Sequence, residues 1–325
     1  MSMFKFIPPP VGITSDTGIY ETKCPFCGGI FTYTSDQFTC WTCNATGCTA
    51  DFLAMKNKIP LPQAEWALDK RIEDKEALEA LESICAIYQK ALNKTHPYLI
   101  KRGVTEDIIN KYRLGWADGK LTEKISDKTR TALQRIGIIK PDGTELFRNR
   151  IMIPIMNKNS KVVGFGARQL YASATYSSPK YLNSPDSAVF SKKNLLFGLN
   201  NINPKEPVYL VEGYFDVITA QNAGINAVAC LGTAVGPGHI HLLKSMRVKE
   251  IIIALDSDGP GVKNAVKAAN LMKNEFTVKC LPSLPQGKDP DEFIKKNGGK
   301  AFMQLEPISA RDFLIRQGLN PLDVL

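Results

Sequence analysis

Between Val208 and Asp291, strand-like apolar runs end repeatedly in carboxylates. Val208-Tyr-Leu-Val211 leads into Glu212-Gly-Tyr-Phe-Asp216, and Ile251-Ile-Ile-Ala-Leu255 into Asp256-Ser-Asp-Gly259. The stretch closes on Gly287-Lys-Asp-Pro-Asp-Glu292. Continuous apolar runs of this length, with no polar alternation, are the mark of strands buried on both faces, as in a parallel sheet between helices. After Glu212 the pattern predicts a helix from Phe215 to Asn222, a strand from Ala227 to Cys230 and a helix around His239 to Ser245. A strand from Glu250 to Leu255, a helix from Gly261 to Lys273 and a strand from Thr277 to Leu281 follow. Strands spaced by helical segments in this way build βαβ units. Ligands of such sheets bind beyond the carboxyl ends of the strands.

Acids at three such ends point to a metal site. Glu212 and Asp216 flank a turn into a helix, and Asp256 and Asp258 sit two apart, on one side of an extended segment. Hard oxygen ligands suit Mg²⁺ or Mn²⁺, which can activate an attacking hydroxyl and neutralise a leaving pyrophosphate. A lone Asp-x-Asp is more simply a helix cap; three clusters ending three segments of one sheet are not. None of the three histidines belongs with the acids: His96 precedes a proline, and His239 and His241 are two apart, the wrong spacing for one helix face. The chain has no phosphate-cradling Gly-x4-Gly-Lys-Ser/Thr pattern, which argues against a nucleotide-hydrolysing motor.

Near the N-terminus, Cys24-Pro-Phe-Cys27 and Cys40-Trp-Thr-Cys43 form C-x2-C-x12-C-x2-C. Twelve residues suffice for a hairpin that brings the two turns together, so that four thiolates close a tetrahedral shell around one structural Zn²⁺. Cys48 reads as a bystander, and Cys85, Cys230 and Cys280 as small buried residues. Phe31, Tyr33 and Phe38 suit the hairpin either as its packing or as platforms for unpaired bases. Such a ribbon serves equally as scaffold, protein-docking module or nucleic-acid reader.

The 325 residues allow two or three domains, and the formal net charge of +9 favours a polyanionic partner. No run approaches the ~20 apolar residues of a membrane span, and the Pro-broken start, Met1 to Pro10, is no signal peptide. The expected location is cytoplasmic. From Lys140 to Lys193 nine Lys or Arg stand against three acids. Within this stretch Ile151–Met156 and Val162–Arg168 predict a hairpin carrying Arg148, Asn149, Arg150 and Arg168 at its ends, with Gly164 and Gly166 marking close approach of another backbone or a ligand. Ser178–Pro185, containing Lys180, reads as a polar loop. Upstream, Leu68, Ile72, Leu78, Leu81, Cys85, Tyr88 and Leu92 predict one or two amphipathic helices. Thr105 reads as the N-cap of a further helix.

Together these segments resemble the bacterial replicative primases of the DnaG type. Val211-Glu-Gly-Tyr-Phe-Asp-Val217, Asp256-Ser-Asp-Gly-Pro-Gly-Val-Lys-Asn-Ala265 and Asp289-Pro-Asp291 look like the acidic motifs of their TOPRIM fold. Phe147–Pro154, Gly164–Arg168 and Pro179–Pro185 look like their basic segments, and the four cysteines with Asp51-Phe-Leu53 like their ribbon. The resemblance implies an RNA primer polymerase that copies single-stranded DNA from ribonucleoside triphosphates during replication. Glu212, Asp256 and Asp258 would hold catalytic Mg²⁺ or Mn²⁺, supported by Asp216, Asp289 and Asp291. Arg148, Asn149, Arg150, Arg168, Lys180 and Lys263 would contact the RNA–DNA hybrid and the incoming nucleotide. The ribbon would select the start site.

Three departures stand out: Cys27 where the family often has His, a Pro-rich start in place of an apolar helix, and an end at Leu325 soon after the helical region Ala301–Gly318. The last leaves no room for the family's helicase-interacting domain, so the expectation is a shortened chain or a short primase of phage or mobile-element type, with a replicative helicase as a candidate partner. The fold expected is α+β and α/β. It comprises a zinc ribbon at 1–58, a helical linker at 59–94, a mixed α/β basic subdomain at 95–205, a TOPRIM-type subdomain with a mostly parallel sheet at 206–295, and helices at 296–325. Two other functions compete: a TOPRIM nuclease or strand cleaver, and a non-catalytic module that binds single-stranded DNA.

Overall fold

The computed structural model describes residues 19–34, 37–58, 75–94, 96–170, 179–232, 234–256, 259–281, 284 and 289–318. Asp258, the expected helical positions Leu68 and Ile72, and the start at Met1–Pro10 lie outside these residues. The chain divides into two compact units, Met1–Glu73 and Asp74–Leu325.

In the first unit, β1 (Tyr20–Lys23), β2 (Ile30–Tyr33), β3 (Gln37–Cys40) and β4 (Thr46–Cys48) form an antiparallel sheet in that order, followed by helix α1 (Thr49–Asn57). The alternation is that of a sheet with one dry face. Phe31, Tyr33, Phe38 and Cys40 point inward, against Phe52 of α1, while Ile30, Thr32, Gln37 and Thr39 face out. Phe31 stacks on Phe38 with ring centroids 5.4 Å apart, and Phe52 meets Phe38 edge-on at 5.5 Å. The aromatic residues of the hairpin are therefore its packing; the exposed ring is Trp41, whose indole N–H donates to Thr32 Oγ1 at 3.0 Å.

The second unit contains two sheets. In the larger, with strand order β14-β13-β12-β10-β11-β9, the central four strands run parallel: β10 (Val208–Val211), β11 (Ala227–Cys230), β12 (Glu250–Ile253) and β13 (Thr277–Cys280). The edges β9 (Leu196–Phe197) and β14 (Ile308–Ser309) pair antiparallel. Successive residues feed opposite cores. Leu210, Val228, Ile251 and Ile253 pack on one face beneath α7 (Pro237–Ser245) and α8 (Gly259–Met272). Val211, Ala229 and Ile252 pack on the other beneath α6 (Tyr214–Asn222), α9 (Pro290–Asn297) and α10 (Gly299–Met303). Burial on both faces explains why the strands read as unbroken apolar runs. Helix α11 (Ala310–Arg316) closes the first of these faces through Phe313.

The smaller sheet is antiparallel, in the order β5 (Gly115–Ala117), β6 (Arg150–Met156), β7 (Val162–Gln169), β8 (Tyr181–Asn183). Met152 and Phe165 on one face meet α2 (Lys75–Ala91), which contributes Leu81, Ile84, Cys85 and Tyr88 to their core. The second half of the segment expected to link ribbon and body is thus packed into the body. Tyr181–Asn183 forms a strand, where the polar, proline-flanked sequence suggested a loop. Short helices α3 (Pro97–Lys101), α4 (Glu106–Tyr112) and α5 (Asp127–Arg135) complete the unit. His96 caps α3 by accepting from Tyr98 N at 3.1 Å, and Thr105 caps α4, as its position predicts.

His239 is 1% exposed; its Nδ1 accepts the Gly236 N–H at 3.1 Å and its Nε2 lies 2.9 Å from Lys192 O, so the ring is neutral with the proton on Nε2. Burial holds its pKa below the ordinary histidine value. The unfolded chain then binds the extra proton first, so stability is complete above the ordinary pKa of about 6.5 and falls as pH drops from there toward the folded value. His239→Gln should flatten this slope in thermal unfolding followed between pH 7 and 5; an unchanged slope would show that other groups set it.

Candidate active site

The acids gather at the carboxyl edge of the parallel sheet, in two groups. Glu212 directly follows β10 and Asp256 lies just beyond β12, the neighbouring strand; the Asp256 amide donates to Glu212 Oε1 at 3.2 Å. The start of α8 closes tightly on this point, because a Cβ on Gly261 would lie 2.1 Å from Asp256 O, an approach open only to glycine.

The second group lies on the α6–α9 side. Asp216 is 8% exposed, and both of its oxygens accept backbone amides: Oδ1 from Asp291 at 3.1 Å and Oδ2 from Gly213 at 2.8 Å. Burial, aided by the charge of Asp289, pushes its pKa up to about 6. Asp289 caps α9 by accepting from Glu292 N at 2.7 Å. Asp291, 6% exposed, is surrounded by donors. Arg102 Nη1 lies 2.6 Å from its Oδ2, Lys295 Nζ 2.6 Å from Oδ1, and Thr219 Oγ1 2.5 Å from Oδ1. Arg102, Asp291 and Lys295 border a cleft of about 710 Å³ with Tyr98, Lys101 and Lys296.

The basic residues divide by depth. Arg148, Asn149 and Lys180 are exposed, as is Lys263 on α8. Asn149 adopts a left-handed backbone (φ 52°), and its N–H donates to Ala117 O at 2.6 Å. Arg150 is a correction to the expected basic track: it is 5% exposed, and its Nη1 donates to Ala167 O (3.2 Å) and Pro179 O (2.9 Å). In this position it braces the strands. Arg168 lies between two rings, 4.8 Å from the Tyr181 centroid and 5.5 Å from that of Tyr98. Its buried Nε and Nη1 have no hydrogen-bond partner among the described residues.

Tyr214 joins acids to bases. Two residues past Glu212, its hydroxyl donates to Asn183 Oδ1 at 2.5 Å, and its ring fills the space that a Cβ on Gly166 would take, 2.4 Å away. Phe190 fills the corresponding space at Gly164. The two strand glycines admit aromatic rings, where a backbone or ligand was expected. Arg102, Lys295, Thr219, Tyr98 and Tyr181 were not singled out from sequence; the partner of Arg102, Asp291, is 189 residues away.

In the first unit the four cysteines converge. The Sγ atoms of Cys24, Cys27, Cys40 and Cys43 all lie within 4.8 Å of one another, the one such set of three or more His, Cys, Asp or Glu ligand atoms among the described residues. Amide N–H groups of Phe26, Gly29 and Cys43 point at the sulfurs of Cys24, Cys27 and Cys40, each at 3.4 Å. Four soft donors at this spacing fit a tetrahedral zinc ion.

A four-cysteine ribbon in the first unit and, in the second, a parallel sheet edged with acids define a protein of the toprim class, and residues 209–294 match the family described as Toprim-like. The chain belongs to the DnaG-type DNA primases: residues 84–203 match the family described as DNA primase catalytic core, N-terminal domain. It is 34% identical to the DNA primase of Rickettsia felis over 91% of this chain and 55% of that protein. The DNA primase of Aquifex aeolicus is 33% identical over 88% of the chain and 63% of its own length. The chain therefore spans a little over half the length of the curated relatives it matches. Among solved structures, the zinc-binding and RNA polymerase domains of the Aquifex aeolicus primase align at a TM-score of 0.66 and 29% identity, over 98% of this chain and 86% of that one. A DnaG primase catalytic domain bound to single-stranded DNA aligns at 0.65 and 30%, over 75% and 82%.

Proposed function

We propose that this chain synthesises short RNA primers on single-stranded DNA from ribonucleoside triphosphates, by divalent-metal-dependent nucleotidyl transfer. The observation that carries this reading is the Tyr214 link, which ties the acidic edge to the sheet bearing Arg168 and Lys180. A nuclease needs the acids alone; template-directed synthesis needs acids and a backbone-binding surface held in fixed relation.

Glu212 and Asp256, with Asp258, would hold Mg²⁺ or Mn²⁺, since adjacent hard carboxylate donors fit these ions. The bound ion would activate the attacking hydroxyl and neutralise the leaving pyrophosphate. The chain's own groups position the strands. Arg148, Lys180 and Lys263 offer exposed cations to phosphates, which orient nucleic acid without reading its sequence. Arg168, half-buried between two tyrosine rings, is an oriented cation suited to a phosphate or base edge. Arg150 and Asn149 hold the strand ends from which these side chains project.

The ribbon, stabilised by one zinc, would engage the template, with exposed Trp41 available to stack on an unpaired base. The functional division proposed is ribbon 1–58, basic subdomain 95–205, metal-binding subdomain 206–295 and closing helices 296–325, with α2 counted with the body. A replicative helicase remains a candidate partner. The test is incubation with single-stranded DNA, ribonucleotides and Mg²⁺, with labelled products sized on a gel. Short RNAs are expected; template shortening without RNA would replace this reading with the nuclease.

A further inference from the structure

We infer that Arg102 and Asp291 are positioning residues, which hold the Glu212–Gly213 backbone in place for the metal without binding metal or phosphate themselves. The inference rests on the metal-site reading above and departs from it over Asp291. A carboxylate serves a divalent cation when it has free lone pairs and an uncompensated charge. Asp291 has neither. Its Oδ1 accepts from Thr219 and Lys295, and its Oδ2 from Arg102 and Lys295. Two cations face this one carboxylate, so its charge is already compensated and adds little attraction for an incoming Mg²⁺.

Arg102 is committed in the same way. Its guanidinium lies 5.0 Å from the Phe215 ring centroid and 5.7 Å from that of Tyr98, and its Nη1 is held by Asp291. Arginine over aromatic faces, with a short bond to a carboxylate, is oriented and partly desolvated.

The network then runs through the main chain. The Asp291 amide donates to Asp216 Oδ1, and Asp216 Oδ2 accepts the amide of Gly213, the residue after Glu212. Because both Asp216 oxygens are engaged by backbone amides, that carboxylate too acts on the position of its neighbours. The order Arg102, Asp291, Asp216, Gly213 connects the end of α3 to the residue bearing the Glu212 carboxylate. Outer partners of metal ligands typically contribute about 10- to 100-fold in metal affinity.

The experiment is Mn²⁺ binding to the full chain, followed by electron paramagnetic resonance, with the Michaelis constant for ribonucleotide measured separately at saturating Mn²⁺. Arg102→Gln should weaken Mn²⁺ binding about 10-fold and leave the nucleotide constant unchanged; Arg102→Lys should restore most of the affinity. The double variant Arg102→Gln/Asp291→Asn should bind no more weakly than Asp291→Asn alone, since both act through one path. Independent, multiplying losses, or a raised nucleotide constant with unchanged Mn²⁺ affinity, would overturn the inference and make Arg102 a phosphate ligand. If Arg102→Gln does not fold, Thr219→Val carries the test: a several-fold loss is expected, and unaltered binding contradicts it. Wild-type binding no tighter than that of Asp256→Ala would sink the metal-site reading itself, and the inference with it.

Discussion

Asp256→Ala should lower primer synthesis by at least about 10³-fold while leaving the chain folded and able to bind single-stranded DNA. The size follows from removing a hard ligand where charge develops in nucleotidyl transfer, a loss of several kcal/mol at about 1.4 kcal/mol per tenfold. Two contacts that Asp256 makes through its backbone survive the substitution. Its amide still reaches Glu212 Oε1, and its carbonyl still receives the close approach of Gly261. Thermal unfolding should therefore shift little, and DNA binding, assigned in the proposed function to exposed cations outside the acidic pair, should keep its salt dependence. Retention of more than about a tenth of the activity would remove Asp256 from the site; loss of folding would give it a structural role instead.

Cys40→Ser is expected to have the second largest effect, confined to the ribbon. Cys40 is fully buried, and the core around it consists of Cys24, Phe31, Tyr33, Phe38 and Phe52 with a few half-buried neighbours. So small a cluster cannot offset the conformational entropy of ordering its chain. A structural zinc contributes about 10–16 kcal/mol of folding free energy in comparable modules. The wild type should carry about one zinc per chain, and Cys40→Ser close to none. Hydrogen exchange should then be fast throughout β1–β4, while Asp74–Leu325, with its own cores, keeps its protection. Slow exchange in a zinc-free ribbon would show that the aromatic cluster suffices.

The parts of this structure legible in sequence are those whose physics is local. The central strands could be read because burial on both faces leaves runs such as Ile251–Ile253 with no polar residue. The cysteine cluster could be read because its spacing is its geometry. The edge strands β9 and β14 were missed, since two residues carry no period. Tyr181–Asn183 reads as loop because prolines flank it, and only its pairing with Gly166–Arg168 makes it a strand. Arg148 and Arg150 read alike as surface cations, yet Arg150 turns inward to carbonyls on β7 and at Pro179. The division of the acids into a Glu212–Asp256 pair and a saturated Asp216–Asp291 pair could not be read at all. It depends on Arg102 at the end of α3 and Thr219 on α6, both brought from elsewhere in the chain to Asp291 and its helix neighbour Lys295.

Template dependence is the claim on which the rest stands. The most direct measurement supplies the full chain with a homopolymeric single-stranded DNA, Mg²⁺ and each ribonucleotide separately. Incorporation of the complementary ribonucleotide into short RNA is expected, with none of the other three, and none with Asp256→Ala. Incorporation indifferent to the template base, or breakdown of the DNA with no RNA formed, would contradict that claim.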